Sequence, residues 1–287
     1  MIKRFLAMTT TLCMLFLLLA PTVVAIEGEG QEPDGADEGF NQVLTVVVDD
    51  QVINLDVPAQ IWDGVSYLPC QSVIRAFYPS ATVVFENGAY AIVAPGLKLE
   101  LPAAKPYVVA NGRYLYLSQG ARYSDGYTLL PARLLGAILG ADVAWDELGF
   151  RVVLTAGSAG PIESAETAYD ADQLYWLSHI INAESGNQPL VGKIGVGNVV
   201  LNRVASSIFP DTVKGVIFQK SQFTPAATGS IYAQPNDESV IAAKLCLDGA
   251  NTVGNALFFH NPRTAPNSWA AKHRTYLTTI GGHAFYG

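Results

Sequence analysis

Residues 43–154 carry one pattern twice, 62 residues apart. Asp63-Gly64-Val65-Ser66-Tyr67-Leu68-Pro69 returns as Asp125-Gly126-Tyr127-Thr128-Leu129-Leu130-Pro131. Upstream, Val46-Val47-Val48-Asp49-Asp50-Gln51 returns as Val108-Val109-Ala110-Asn111-Gly112-Arg113. Downstream, Val83-Val84-Phe85 answers Val143-Ala144-Trp145 at an offset of 60. A fixed offset limits this region to one unit built twice. Each copy reads as a strand, a tight turn, a strand, a short helix after the proline, and a hairpin. Asn111-Gly112 is a strong hairpin-turn signal. Leu134, Leu135, Ile138 and Leu139 give the second helix an apolar face, and Gly140 ends it.

The rest of the chain follows a different rule. Leu174, Leu177, Ile181 and Glu184 are spaced three, four and three apart, so one helix face carries all four. Ser185-Gly186-Asn187-Gln188-Pro189 then turns the chain. A carboxylate on a core-facing stripe is costly when ionised, so burial raises its pKa and it holds a proton near neutral pH. Glu184 is therefore the candidate general acid. A second helix after Pro189 carries Ile194, Gly197, Leu201 and Val204 at the same spacing, and Gly197 lets it approach the first closely. A third helix follows Asn236-Asp237, with Val240, Ala243 and Leu247 expected to face inward and Gly249 ending it.

Composition and charge narrow the function. The 287 residues suffice for two domains, and half of them are apolar, which is ordinary globular composition. Lys3 and Arg4, an apolar stretch from Leu6 to Leu19 and small residues before Ala25 read as a secretory signal peptide over 1–25. Residues 26–42 read as a flexible acidic leader. The small residues and proline of 155–169 read as a linker, with the last domain at 170–287. Residues 26–168 carry 18 acidic and 7 basic side chains, and 169–287 carry 7 and 8. No basic stripe is present to bind nucleic acid. The four histidines lack paired metal spacing, so no metal or cofactor is expected, which argues against a zinc amidase or peptidase. Cys70 and Cys246, far apart in sequence, are expected as two buried thiols. A serine mechanism lacks the Gly-x-Ser-x-Gly elbow.

Ser221-Gln222-Phe223-Thr224-Pro225 offers an amide, an aromatic face and a hydroxyl, a mix suited to an N-acetylated sugar. Gln222, Phe223 and Thr224 are candidate substrate contacts. So are Phe259 and Asn261 in Phe258-Phe259-His260-Asn261-Pro262, and Trp269 in a polar loop. The alternatives are a loop closure for the first three, core packing for Phe259 and Trp269, and an Asx turn for Asn261. His283 is expected to make a structural hydrogen bond beside Gly281-Gly282.

The doubled Asp-Gly-x-x-Tyr/Leu-Leu-Pro pattern resembles the copper amine oxidase N-terminal-like domain of exported proteins. No copper ligand set accompanies it, because the region has no histidine. It reads as a binding or spacer module, contacting the cell wall or a protein partner. Ile181-Asn182-Ala183-Glu184-Ser185-Gly186, Gly195–Val204, Gln222-Phe223-Thr224 and Phe259-His260-Asn261-Pro262 together resemble the spore cortex-lytic enzyme family of cell wall hydrolases. That resemblance implies a lysozyme-like catalytic domain, hence an α+β chain with a β-rich duplicated front module and a mainly helical catalytic module. It also implies Glu184 as the catalytic glutamate and peptidoglycan glycan strands as substrate, cut between N-acetylmuramic acid and N-acetylglucosamine. The chain departs from the family in Ser185-Gly186, where many members carry a basic residue, and in lacking the usual N-terminal peptidoglycan-binding repeat.

A two-carboxylate glycosidase needs a partner acid about 5–5.5 Å away if retaining, or about 6.5–9.5 Å if inverting. Asp170 and Asp172 stand at the far end of the Glu184 helix, about 18–21 Å away at 1.5 Å per residue. Asp237, Glu238 and Asp248 flank the third helix, leaving Asp211 as the free candidate. A lone acid suits a lytic transglycosylase, in which the substrate's own 6-hydroxyl replaces water. The alternatives are a hydrolytic muramidase using Asp211 and a wall-binding protein without activity. The expected location is outside the cell, in the wall or spore envelope.

Overall fold

The computed structural model describes residues 43–287. The expected signal peptide and acidic leader lie outside the described residues. The first repeat runs β1 (Thr45–Val48), β2 (Gln51–Val52), β3 (Gln60–Trp62), β4 (Val65–Pro69), α1 (Cys70–Phe77), β5 (Thr82–Glu86) and β6 (Ala89–Ala94). An additional strand, β7 (Leu97–Leu101), follows. The second repeat runs β8 (Tyr107–Ala110), β9 (Arg113–Tyr116), β10 (Arg122–Ser124), β11 (Tyr127–Pro131), α2 (Ala132–Leu139), β12 (Ala141–Asp146) and β13 (Arg151–Ala156).

The repeated Asp-Gly has a backbone reason. Asp63-Gly64 and Asp125-Gly126 all have positive φ, from 46° to 83°, as a tight hairpin turn requires. Asn111-Gly112 does the same between β8 and β9, at 50° and 80°. Pro69 and Pro131 then end their strands and stand at the N-caps of α1 and α2. The copies meet where β4 and β11 pair antiparallel, with Leu68 opposite Leu130. Their hairpins cross over. β1 runs parallel to β13 in the sheet β12-β13-β1-β2, whereas β8-β9 joins β5-β6 through β7. Leu68, Leu130, Leu135, Ile138 and Leu154 fill the core between the sheets.

The segment expected as a linker is fastened along this module. The Asn111 side chain donates to the carbonyls of Gly96 and Ile162 at 2.8 and 2.7 Å. The Asn111 backbone carbonyl accepts from the Ala165 amide at 2.9 Å. A Cβ on Gly140 would lie 1.8 Å from the Gly160 carbonyl, so only glycine fits that approach. Small residues here allow close packing along the module.

The chain continues through α3 (Ala165–Ala168), α4 (Ala171–Ser185), α5 (Leu190–Val204), α6 (Val213–Ile217), α7 (Thr224–Thr228) and α8 (Asp237–Leu247). It closes with β14 (Phe258–His260), α9 (Trp269–His273), β15 (Tyr276–Ile280) and β16 (His283–Tyr286). Asp170 caps α4 by accepting from the Gln173 amide at 2.7 Å. Helices α4, α5 and α8 pack on one another, and β14-β16-β15 form a sheet beside α5. A Cβ on Gly197 would lie 2.9 Å from Ile181 Cδ1 of α4 and 2.7 Å from Cys246 Sγ of α8, so this glycine sets the crossing.

The buried positions of α8 are Ser239, Ala242, Ala243, Leu245 and Cys246, while Val240 and Leu247 are only half-buried. Of the expected stripe only Ala243 is fully buried. Helix α8 has α4 and α5 on one side and β9 of the front module on another, so a single stripe cannot describe it. Tyr107 and Val109 of β8 belong to the same apolar core as Trp176, Ile181 and Ala242. Across this junction Asp248, 1% exposed, accepts from Arg113 and from the Tyr169 hydroxyl. Cys70 and Cys246 are free and buried.

Candidate active site

Glu184 occupies the last turn of α4, half-buried. Burial alone pushes its carboxyl above the ordinary range. Among the described residues it has no ion-pair or hydrogen-bond partner, and Arg203 does not neutralise it. The backbone around it is held firmly. Asn182 Oδ1 accepts from the Asn236 amide at 3.1 Å and from Ser239 Oγ at 3.3 Å, while Asn236 Nδ2 donates to the Gly186 carbonyl at 3.1 Å. Gln188 Oε1 accepts from the Gly282 amide at 2.7 Å, tying the following turn to the β15–β16 turn. The end of α4 is thus fixed to α8 and to the sheet. The helical stripe does not single out Asn182 and Asn236 as positioning residues. The signal was available, since Asn182 stands in the motif two residues before Glu184. Ser185 is buried and returns its hydroxyl to the Ile181 carbonyl at 2.7 Å, so it is no nucleophile.

Four of the remaining acids have other duties. Asp170 caps α4, and Asp172 accepts from Trp176 Nε1 at 3.0 Å. Glu238 pairs with the buried Lys193, and Asp248 is held at the junction. Asp211 is exposed in the loop before α6.

The structure separates the expected sugar contacts. Gln222 and Thr224 are exposed and line a recess of about 460 Å³ between Phe218 and Ala227, in a segment that packs along α4. Phe223 lines the same recess, yet it is 5% exposed and packs in the core. Its ring lies 5.2 Å from the Arg203 guanidinium and 6.4 Å from Phe259. Phe259 is also mainly a packing residue, placed between Phe223, Phe285 and His283. Asn261 Oδ1 accepts from the Arg263 amide at 2.9 Å, which is the Asx turn. Trp269 begins α9 instead of lying in a loop. It is 54% exposed, with Phe258 edge-on at 5.6 Å and the Arg274 guanidinium 5.0 Å from its ring.

Beneath β14 lies a buried cation. Arg203 donates from Nε to the Leu257 carbonyl at 2.7 Å and is surrounded by Phe209, Phe223 and Phe258 at 5.0–5.4 Å. Burial pulls its pKa down to about 10. His283 makes no side-chain hydrogen bond, contrary to expectation. Its Nδ1 is buried without a partner, and its ring meets Phe259 at 5.1 Å. Burial, then the neighbouring charge of His260, lowers its pKa.

The family profile for Cell Wall Hydrolase matches residues 187–286. The C-terminal domain belongs to the cell wall hydrolase family. Glu184 stands three residues before the matched stretch of this cell wall hydrolase domain. The profile for the Copper amine oxidase N-terminal domain matches residues 47–154. Residues 47–154 contain no histidine, and no cluster of three His, Cys, Asp or Glu side chains that could hold a metal occurs among the described residues. No helix among them is long and apolar enough to cross a membrane. A spore cortex-lytic enzyme of Oceanobacillus iheyensis is 35% identical over 125 residues, 44% of this chain and 45% of its own length. One from Bacillus cereus is 38% identical over 117 residues, 41% of this chain and 45% of its own length. The chain thus spans a little under half the length of these curated relatives. The catalytic domain of a germination-specific lytic transglycosylase from Bacillus anthracis is 36% identical. The match covers 42% of this chain and 98% of that one, with a TM-score of 0.40.

Proposed function

We propose that this chain is an exported peptidoglycan glycosidase. It cleaves the bond between N-acetylmuramic acid and N-acetylglucosamine as a lytic transglycosylase, in remodelling of spore cortex or cell wall. In this reading residues 1–25 direct export, 43–154 form the front module, 155–169 connect it, and 170–287 carry the chemistry. The observation that carries the proposal is the setting of Glu184, a half-buried acid with its pKa raised and no partner among the described residues, at the fixed end of α4. The names of the similar proteins support the substrate class.

Protonated Glu184 gives its proton to the glycosidic oxygen as the bond to the muramic C1 breaks. The carboxylate left behind then accepts the proton of the C6 hydroxyl, whose oxygen closes onto C1. The product is a 1,6-anhydro end, and the acid is regenerated without water. Gln222 and Thr224 provide polar contacts along α4, and Trp269 an exposed aromatic face. Phe223, Phe259 and Asn261 support the walls through packing and the turn.

Glu184→Gln should lower glycan cleavage by at least about a thousandfold, in line with loss of a general acid, with the far-UV circular dichroism unchanged. Mass spectrometry of digested sacculi should find anhydro ends. Reducing ends, lost on Asp211→Asn, would replace this reading with hydrolysis. Wild-type lysis by Glu184→Gln would end the assignment.

A further inference from the structure

The front module contains a cavity of about 600 Å³ at the seam between the sheet of β4 and β11 and the hairpin of β12 and β13. That volume is within the usual range for a small-ligand site, about 300–1,000 Å³. We propose that it binds a segment of N-acetylated glycan, so that the module grips the wall polymer while the C-terminal domain cuts it. The ligand class rests on the function proposed above, and the site rests on three features of the module.

The duplication is broken at this place. In the first repeat Ser72 Oγ donates to Asp56 Oδ2 at 2.7 Å, the Asp56 amide donates to Ser72 Oγ at 2.9 Å, and Arg75 lies 3.8 Å from Asp56. The matching positions 62 residues on are Ser118, Leu134 and Ala137. They cannot form that latch, and Ser118 and Leu134 instead line the cavity.

The lining has the chemistry of a sugar site. Trp145 is 45% exposed and is braced edge-on by Phe150 at 5.3 Å. A held indole face suits the apolar C–H face of a pyranose, whose burial releases water from both surfaces. Ser66, Ser118 and Gln119 provide neutral donors and acceptors for hydroxyl and acetamido groups, and Gln119 already accepts from Tyr67 at 3.3 Å. Arg133 is exposed on the same wall and matches an anionic substituent of the glycan.

The wall of the cavity also touches the catalytic half. Tyr116 lines it and packs against the apolar core that contains α4 and α8. A polymer held here therefore stays close to the domain that carries Glu184.

The test uses the full chain carrying Glu184→Gln, so that sacculi are bound but not consumed. Trp145→Ala removes the stacking face, and Ser118→Trp fills the cavity from an exposed position. Co-sedimentation with purified sacculi should show affinity falling about tenfold in each variant, as for loss of one aromatic anchor. A soluble tetrasaccharide of alternating N-acetylglucosamine and N-acetylmuramic acid should compete with the parent. Thermal melting identifies a variant that has lost its fold, and the other then decides. Unchanged affinity in folded variants, or competition by stem peptide instead of glycan, overturns the proposal. If the unaltered chain cuts no glycan yet binds through this cavity, the enzymatic reading fails and the binding site stands.

Discussion

Glu184 shows how much one side chain's surroundings determine. Its carboxyl is raised by burial, so the folded chain holds a proton that the unfolded chain has released. An unfolded glutamate titrates near about 4.3. Between that value and the higher folded one, the folded state binds more protons than the unfolded state. Stability from this residue is therefore complete below the unfolded value and is lost as pH rises through the folded one. Glu184→Gln should match the parent's melting temperature at pH 3.5 and exceed it at pH 7; equal melting at both would show that the acid is not buried in solution. Cleavage by the parent should decline on the alkaline side as the same carboxyl ionises. The acid was legible in the sequence because a helix stripe is a local pattern. The Asn182–Asn236 tie was not, since its partners are 54 residues apart and only the folded crossing unites them.

At the scale of elements, the crossing of α4, α5 and α8 depends on the absence of a side chain at Gly197. Gly197→Ala places a methyl within 3 Å of Ile181 and Cys246. The helices must separate, at a cost of about 1–3 kcal/mol for overpacking. The shift reaches Glu184, one turn beyond Ile181, so cleavage should fall as well. Urea denaturation and kcat measure the two effects; an unchanged urea midpoint would mean that the crossing is looser than described. A glycine inside an apolar stripe announced this contact in the sequence. The inward face of α8 was hidden because the front module covers part of it, and no periodicity within eleven residues reports a partner from another domain. The two repeats were legible from their turns. Their exchange of hairpins and the insertion of β7 were not, because strand pairing across dozens of residues leaves no local trace.

At the scale of the molecule, the front module lends Tyr107 and Val109 to the core of the helical domain and joins it through one part-buried ion pair. Asp248→Ala leaves Arg113 and Tyr169 without their acceptor, and leaving such part-buried donors unpaired costs about 1–3 kcal/mol. Calorimetry should show one transition for the parent and two for the variant. One transition in both would place the coupling in Tyr107 and Val109 alone. Small residues and proline over 155–169 read as a linker, and that stretch follows the surface of the first module. The two enclosed sulfurs extend the point. Burial pushes the Cys70 thiol up to about 12 and raises that of Cys246, so neither forms a reactive thiolate while its domain is closed. Each half consequently carries its own clock. The rate at which an alkylating reagent captures each sulfur in native buffer counts how often that half opens, and in a jointly folded molecule the two rates should agree.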